Sequence, residues 1–332
     1  MRYFVTGATG FIGGHVARQL VAAGHRVGAL VRAPRQAAGL AALGVDLHPG
    51  DITVRESVIP AMRGADGVFH MAAWYKVGAR DAAAAWRINV EGTRNVLEVM
   101  RDLGVPKGVY TSTLAVFGDT HGRLPDESHF HPGPHLTVYD HTKWAAHYEV
   151  ALPMMKAGLP LVIVQPGLVY GPGDTSAVRD TWVRYLERRL PLVPRETAYC
   201  WAHVEDAARA HVLAMERGRP GESYIVAGPR HTLIEALAMA ERITGVPAPR
   251  LRAPPALLRA MARLAGALGR LVRLPAGYTA EDLAVVAGVT YLGANAKAVR
   301  ELGYSPRPLE AGLRETLLDE MKRLGLAPAA PS

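Results

Sequence analysis

Thr6-Gly7-Ala8-Thr9-Gly10-Phe11-Ile12-Gly13 follows directly on the apolar run Tyr3-Phe4-Val5, so a glycine loop ends a first strand and opens a helix. Glycine suits such a turn because a Cβ would restrict φ and block the close approach of a ligand. The helix behind it offers unpaired N–H groups and the positive end of its dipole, which attract an anion. The spacing is G-x-x-G-x-x-G rather than G-x-G-x-x-G, and it reads as the seat of a dinucleotide's pyrophosphate. An ordinary glycine-rich turn is the alternative.

Apolar runs at residues 3–5, 26–31, 67–71, 108–111 and 161–164 alternate with helical patterns over 14–23, 81–103 and 139–157. Continuously apolar strands separated by helices predict a parallel sheet covered on both faces, a doubly wound α/β sheet of the Rossmann type. Ligands of such sheets gather at the carboxyl ends of the strands. Residues 1–165 are read as the dinucleotide-binding domain, with 200–228 returning to its sheet. Residues 166–199 and 229–332 form a smaller, mostly helical substrate lobe.

Tyr139-Asp140-His141-Thr142-Lys143 sets a tyrosine and a lysine four apart on one helix face. A nearby ammonium favours the phenolate, and bringing a phenol from a pKa of about 10 toward neutrality takes about 4 kcal/mol, a demand that Lys143 plus a cationic nicotinamide could meet. Tyr139 is thus a candidate acid/base, a surface pair being the alternative. Thr111-Ser112-Thr113 ends a central strand with hydroxyls able to donate to a substrate oxygen or to cap a turn. Asn89, polar within an amphipathic helix, either makes a hydrogen bond, for instance holding a water beside Lys143, or faces solvent. Trp74, Tyr75 and Tyr170 follow pocket-forming strands, as substrate contacts or as core aromatics.

Taken together, these residues resemble an extended short-chain dehydrogenase/reductase over nearly the whole chain. The glycine loop, His70-Met71-Ala72-Ala73, Asn89-Val90-Glu91-Gly92-Thr93, Tyr139 with Lys143, and Pro166 to Pro172 fall in that family's order. Phe69-His70-Met71-Ala72-Ala73-Trp74-Tyr75 and the stretch from Trp201 to His211 are similar to its dihydroflavonol-reductase-like and hydroxysteroid-dehydrogenase-like branch, with hopanoid-associated sugar epimerase relatives. The resemblance implies cofactor contacts from Gly7, Thr9, Gly10, Phe11, Ile12, Gly13, Met71, Ala72, Ala73, Pro166, Gly167, Leu168 and Val169. It implies Tyr139 as acid/base, Lys143 on the nicotinamide ribose, and Thr113 at the family's serine position beside Ser112.

The second strand ends in Val31-Arg32, where NAD enzymes of this family carry an aspartate. Guanidinium groups from Arg32 and Arg35 suit a 2′-phosphate, so NADP is expected, with NAD the alternative and a merely solvated Arg32 the plain one. Asp51-Ile52 resembles the family's adenine contact, and Asp51 fits a helix N-cap equally well. The leading reading is an NADP-dependent carbonyl reductase or alcohol dehydrogenase. A nucleotide-sugar epimerase or dehydratase and a non-catalytic nucleotide sensor are its rivals, and an intact Tyr139, Lys143 and Thr113 weigh against the sensor.

A formal charge of +8 over 332 residues comes from arginines scattered along the chain, without the dense basic run of a nucleic-acid binder. Cys200 is the only cysteine, which excludes an internal disulfide and a thiolate metal cluster. No apolar run reaches the ~20 residues that span a bilayer, and a cytoplasmic protein is expected. The histidines from His121 to His141 lie among prolines and glycines and read as a solvated loop, so no metal is expected. Residues 256–273 carry an apolar helical stripe of Leu257, Leu258, Met261, Leu264, Leu268 and Leu271 beside Arg259, Arg263 and Arg270. Lobe packing is the leading account of it, ahead of a lid over an apolar substrate or a membrane-surface helix. The resemblance also implies a homodimer through the helices near 89–103 and 139–157, and a small-molecule substrate.

Overall fold

The computed structural model describes residues 1–75, 81–269, 272 and 279–327. In chain order its strands are β1 (Arg2–Thr6), β2 (Arg26–Val31), β3 (Asp46–Pro49), β4 (Gly67–His70), β5 (Gly108–Thr111), β6 (Leu161–Pro166), β7 (Leu168–Tyr170), β8 (Val193–Pro194), β9 (Ala198–His203), β10 (Ser223–Val226), β11 (Arg230–Thr232), β12 (Arg252–Ala253) and β13 (Thr290–Tyr291). Seven of them form one parallel sheet in the order β10-β6-β5-β4-β1-β2-β3. The order runs one way from β1 to β3 and the other way from β4 outward. The carboxyl ends of β1 and β4 therefore flank the switch point where such sheets bind ligands.

Helices cover both faces. On one side α1 (Phe11–Ala22) packs Val16 and Leu20 against the sheet. On the same side α2 (Ala38–Ala42) packs Leu40 beside the β2–β3 edge. The other side is built from short helices: α3 (Arg55–Met62), α4 (Ala82–Trp86), α5 (Gly92–Asp102), α6 (Val138–Ala145) and α7 (Leu152–Lys156). Val58, Met62, Val96, Leu97, Met100, Val150 and Met155 fill the layer between them and the sheet. The patterns expected over 81–103 and 139–157 are each continuous, but each widens into a π-helical turn, at Arg87–Glu91 and Ala146–Ala151. Such bulges occur often at functional sites. These two hold Asn89 and His147.

The rest comprises α8 (Ala177–Leu186), α9 (Val204–Arg217), α10 (Leu233–Thr244), α11 (Pro255–Leu268), α12 (Ala280–Val285), α13 (Ala296–Leu302) and α14 (Leu309–Arg323). Helix α9 packs on α1, and β10 pairs with β6 as the sheet's outer strand. β9 instead joins a small second sheet with β7, β11 and β13. Late residues Ala298, Leu302 and Tyr304 also reach the main core beside α9. The apolar stripe expected to pack as part of a lobe does so only in part: on α11 Leu258 and Ala265 are buried, while Leu257, Leu264 and Leu268 are exposed. Arg270, Leu271 and Arg273 lie outside the described residues. No described helix is long and apolar enough to cross a membrane.

Candidate functional site

At the switch point the chain needs glycine twice over. Gly7 has φ +79°, and a Cβ there would lie 2.5 Å from the Ala72 nitrogen; one on Gly13 would lie 2.1 Å from the Gly7 carbonyl. The first glycine lets β1 turn against the segment after β4, and the other seats α1 on that turn. The α1 N-cap is Gly10, with no side-chain cap and no acidic residue in the first turn. Its N-terminal N–H groups and dipole are left for an exogenous anion, which fits a dinucleotide pyrophosphate. Thr9 and Gly10 are exposed, and Phe11 and Ile12 are half-buried. Arg32 and Arg35, just past β2, are exposed, and no described residue engages either guanidinium.

Asp51 does not cap α3. Its Oδ1 accepts from the Thr53 nitrogen and hydroxyl, both at 2.9 Å, closing a local turn, while α3 starts later with Val54 as N-cap. Ile52 is buried in the core, its carbonyl held by Asn95. Met71 and Ala72 hang on Thr6, through its carbonyl at 3.1 Å and its hydroxyl at 3.3 Å, and Ala73 is exposed. Pro166 is buried, Leu168 and Val169 are half-buried, and Gly167 abuts the Cys200 carbonyl so closely that a Cβ would fall 2.0 Å from it.

Tyr139 starts α6, capped by the Thr137 hydroxyl on the Asp140 nitrogen. The Thr113 hydroxyl is near enough to the Tyr139 hydroxyl to offset part of the burial of the phenol, and Tyr75, 45% exposed, sets its ring edge-on at 4.9 Å. Thr113 also accepts from the Ala115 nitrogen at 3.2 Å, which fixes its rotamer. One helical turn on, Lys143 is 3% exposed and donates to the Thr111 carbonyl at 2.8 Å and the Tyr110 hydroxyl at 3.2 Å.

Burial sets the electrostatics of the chain's own groups here. Burial pushes the Tyr139 phenol well above its ordinary pKa, reinforced by Tyr75, and Thr113 opposes this only in part. Burial also pulls Lys143 down to about 7. The ammonium is turned toward Tyr110 and Thr111 rather than toward Tyr139, so it does not draw the phenol toward neutrality. A phenol of this kind holds its proton at pH 7.

A buried polar network supports the lysine. The Thr93 hydroxyl donates to the Asn89 carbonyl at 2.6 Å, so it accepts from His70 Nε2 at 3.0 Å. His70 Nδ1 then accepts from the Thr6 hydroxyl at 2.7 Å, which fixes the Nε2–H tautomer. On the other side of Lys143, His147 Nδ1 meets the Ser112 hydroxyl at 2.8 Å. Both imidazoles are pushed down to about 3, by burial first and by Lys143 second, and are neutral.

Two expected roles are corrected, and for a third the alternatives are decided. Asn89 is buried and makes hydrogen bonds rather than facing solvent: Oδ1 accepts from the Trp74 nitrogen at 2.7 Å, while Nδ2 donates to the Trp74 carbonyl at 3.1 Å and to Thr142 at 2.9 Å. It braces the segment carrying half-buried Trp74 and Tyr75. Ser112 is buried against His147 and does not face a substrate. Tyr170 is 1% exposed, packed against Trp201 and His203 with its hydroxyl on the Leu309 carbonyl, because β7 turns its side chain into the second core.

The structure adds residues that sequence patterns did not single out. Asp140, buried beside Tyr139, accepts from the Tyr291 hydroxyl at 3.0 Å and is pushed up to about 6 by burial. Tyr291 stacks on Tyr199, which lies near Tyr75, so the second sheet lends an aromatic wall to the cleft. Their signal was faint, since isolated tyrosines on short strands look like core. Among the described residues His203, Glu205 and Glu315 have metal-ligand spacing, but Arg307 donates to both glutamates.

A glycine turn on an uncapped helix at the switch point, with a tyrosine, threonine and lysine converging beyond it, accords with a match to the model described as "NAD dependent epimerase/dehydratase family" over residues 3–227. The chain belongs to that family. It is 33% identical to a "Putative dihydroflavonol 4-reductase" of Synechocystis sp., covering 95% of this chain and 93% of that one. It is 34% identical to the "4-hydroxy-2-methyl-3-oxo-4-farnesyl-3,4-dihydroquinoline-1-oxide ketoreductase" of Stigmatella aurantiaca, covering 92% of each. Among solved structures it is similar to gox2253, at 31% identity and a TM-score of 0.85 over 98% of this chain and 99% of the other. It is also similar to DesIV, a dTDP-glucose 4,6-dehydratase of Streptomyces venezuelae with NAD and TYD bound, at 25% identity and a TM-score of 0.77 over 98% of each. This family member is thus an enzyme of an NAD(P)-binding family that includes both reductases and sugar-modifying enzymes.

Proposed function

We propose that this family member is an NADP-dependent carbonyl reductase that interconverts a ketone and a secondary alcohol. The observation that carries the reading is the end of β2, where Arg32 and Arg35 stand exposed and unengaged with no carboxylate between them. Two guanidinium groups favour a 2′-phosphate, whereas an aspartate would repel it. The reductase names of two relatives that cover more than nine-tenths of the chain support the same reading.

The bound cofactor would supply a hydride to the carbonyl carbon. The chain supplies the rest. Thr113 donates to the carbonyl oxygen and orients it, and Tyr139 gives its proton as the oxygen becomes alkoxide. A phenol kept protonated by burial is suited to that direction. Lys143 would reach the nicotinamide ribose from its place on Tyr110 and the Thr111 carbonyl. Met71, Ala72 and the residues 166–169 would line the nicotinamide. Tyr75, Tyr199 and Tyr291 form a wall suited to an apolar or aromatic ketone. A homodimer through the helices over 89–103 and 139–157 completes the proposal.

The second reading, a sugar epimerase or dehydratase, is favoured by the likeness to DesIV. Titration with NADPH and NADH, followed by a panel of aromatic and prenylated ketones and UDP-sugars, separates the two. Net loss of NADPH absorbance with a ketone supports the reductase. Conversion of a sugar with no net absorbance change overturns it.

A further inference from the structure

Tyr139 stands in the first turn of α6, where the leading N–H groups have no partner within the helix and the turn holds only as well as its caps. Thr137 takes the Asp140 nitrogen at 2.9 Å. The Val138 nitrogen is taken from farther off, by Glu281 Oε1 of α12 at 3.2 Å. Asp140 makes a second link of that kind: it is 5% exposed, and its Oδ2 accepts from the Tyr291 hydroxyl of β13 at 3.0 Å. An acid in the first turn suits the helix dipole by itself. That accounts for the carboxylate, but not for a phenol brought to it from 151 residues away. A buried carboxylate needs such a donor, and the residues before and after Tyr139 are thus both tied to the C-terminal part of the chain.

Tyr291 is itself held from two sides. β13 pairs with β9 in the second sheet, and the Tyr291 ring lies parallel to that of Tyr199 with centroids 6.4 Å apart. Its neighbour Thr290, 5% exposed, is bonded to the segment that follows Thr113. The Thr290 nitrogen and hydroxyl donate to Asp119 Oδ1 at 3.1 and 3.0 Å, and its carbonyl accepts from the Thr120 nitrogen at 2.9 Å. Only the turn Leu114–Phe117, which Thr113 caps, and Gly118 separate that anchor from Thr113. Two adjacent residues of one short strand therefore reach both segments that carry the hydroxyls of Thr113 and Tyr139.

We propose that Tyr291 is a positioning residue, and that through its bond to Asp140 β13 acts as a strut setting the Tyr139 hydroxyl against Thr113. Tyr291 acts through Asp140 and the first turn of α6, so its hydroxyl serves the chemical step without touching the reacting atoms. The proposal rests on the reading of Tyr139 as the acid/base and holds for a ketone or a sugar alike. A tyrosine hydroxyl displaced by a fraction of an ångström from its place beside the substrate oxygen slows proton transfer while leaving the seats of substrate and cofactor as they were.

Steady-state kinetics of the full chain, with a ketone or UDP-sugar that the parent turns over, test it. Tyr291→Phe keeps the ring against Tyr199 and removes only the donor. It should lower kcat about tenfold while KM and the Kd for the nicotinamide cofactor stay within about twofold. Asp140→Ala should do the same, and the double variant should lose no more than either single one, because both break one link. Asp140→Asn, whose amide oxygen accepts the same bond, should recover most of what Asp140→Ala loses. Should Asp140→Ala fail to fold, Tyr291→Phe against the parent decides the matter alone. Parental kcat in Tyr291→Phe overturns the proposal, as do losses that multiply in the double variant or an Asp140→Asn that fares no better than Asp140→Ala. Parental turnover in Tyr139→Phe would bring down the acid/base reading and this proposal with it. An inactive Tyr139→Phe beside an unimpaired Tyr291→Phe would sink this proposal alone.

Discussion

Replacing Lys143 by methionine should stabilise the protein at acid pH and destabilise it at alkaline pH. Burial moves the ammonium from 10.5 to about 7. At about 1.4 kcal/mol per pH unit, holding it charged costs the folded chain about 5 kcal/mol below pH 7. The folded state binds fewer protons than the unfolded one between pH 7 and 10.5, so the penalty is full below 7 and is lifted as pH rises across that window. Methionine has similar length and no charge, and it gives up the bonds to Thr111 and Tyr110, at a cost of about 3 kcal/mol. The expected difference is a gain of about 2 kcal/mol at pH 6, falling to a loss of about 2 kcal/mol at pH 9.5. Urea unfolding of parent and variant at pH 6, 7.5 and 9.5 measures it. A difference that stays constant across those pH values would refute the reasoning, for it would mean that Lys143 enters the fold with its ordinary basicity. A buried lysine whose loss stabilises the fold is the signature of a residue kept for a role other than stability.

Arg32→Ala with Arg35→Ala should weaken NADPH binding by about tenfold to a hundredfold and leave NADH within about twofold, read by fluorescence titration. Tyr170→Phe removes one long hydrogen bond at 3.4 Å and should cost about 1 kcal/mol or less, with turnover unchanged; a large loss of turnover would return Tyr170 to the substrate. His70, His147 and His211 are buried and held neutral, the first two near 3 and the third near 4. The unfolded chain therefore binds protons first, and stability should be full above pH 6.5 and fall as pH drops through 6.5 toward 4, which melting temperatures from pH 7.5 to 4.5 would show.

The central strands were readable because β1, β4, β5 and β6 are buried on both faces and so are apolar except at the polar residues near their ends. β3 and α3 were not: Asp46-Leu47-His48-Pro49 is a half-exposed edge strand with no apolar run, and Pro60 interrupts the α3 pattern. Gly7, Gly13 and the Tyr139–Lys143 pair stood out through local spacing, which a sequence carries directly. What it could not carry was the direction of burial. Asn89 looked equally suited to solvent, and only the π-turn that swings it onto Trp74 decides the matter. Ser112 and Thr113 are adjacent hydroxyls, and a histidine 35 residues away claims one of them. Tyr199, Tyr291 and Asp140 come from three separate elements, so no local pattern could join them. The burial that raises the Tyr139 phenol was hidden for the same reason, because desolvation is a property of the packed surroundings.

The most direct test of the account is the proton on Tyr139. With a ketone that the parent reduces, Tyr139→Phe should lower turnover by about 10²- to 10⁴-fold while NADPH binding stays within about twofold, since general acid catalysis is lost and the cofactor's seat is not. Turnover equal to the parent at the same NADPH occupancy would contradict it.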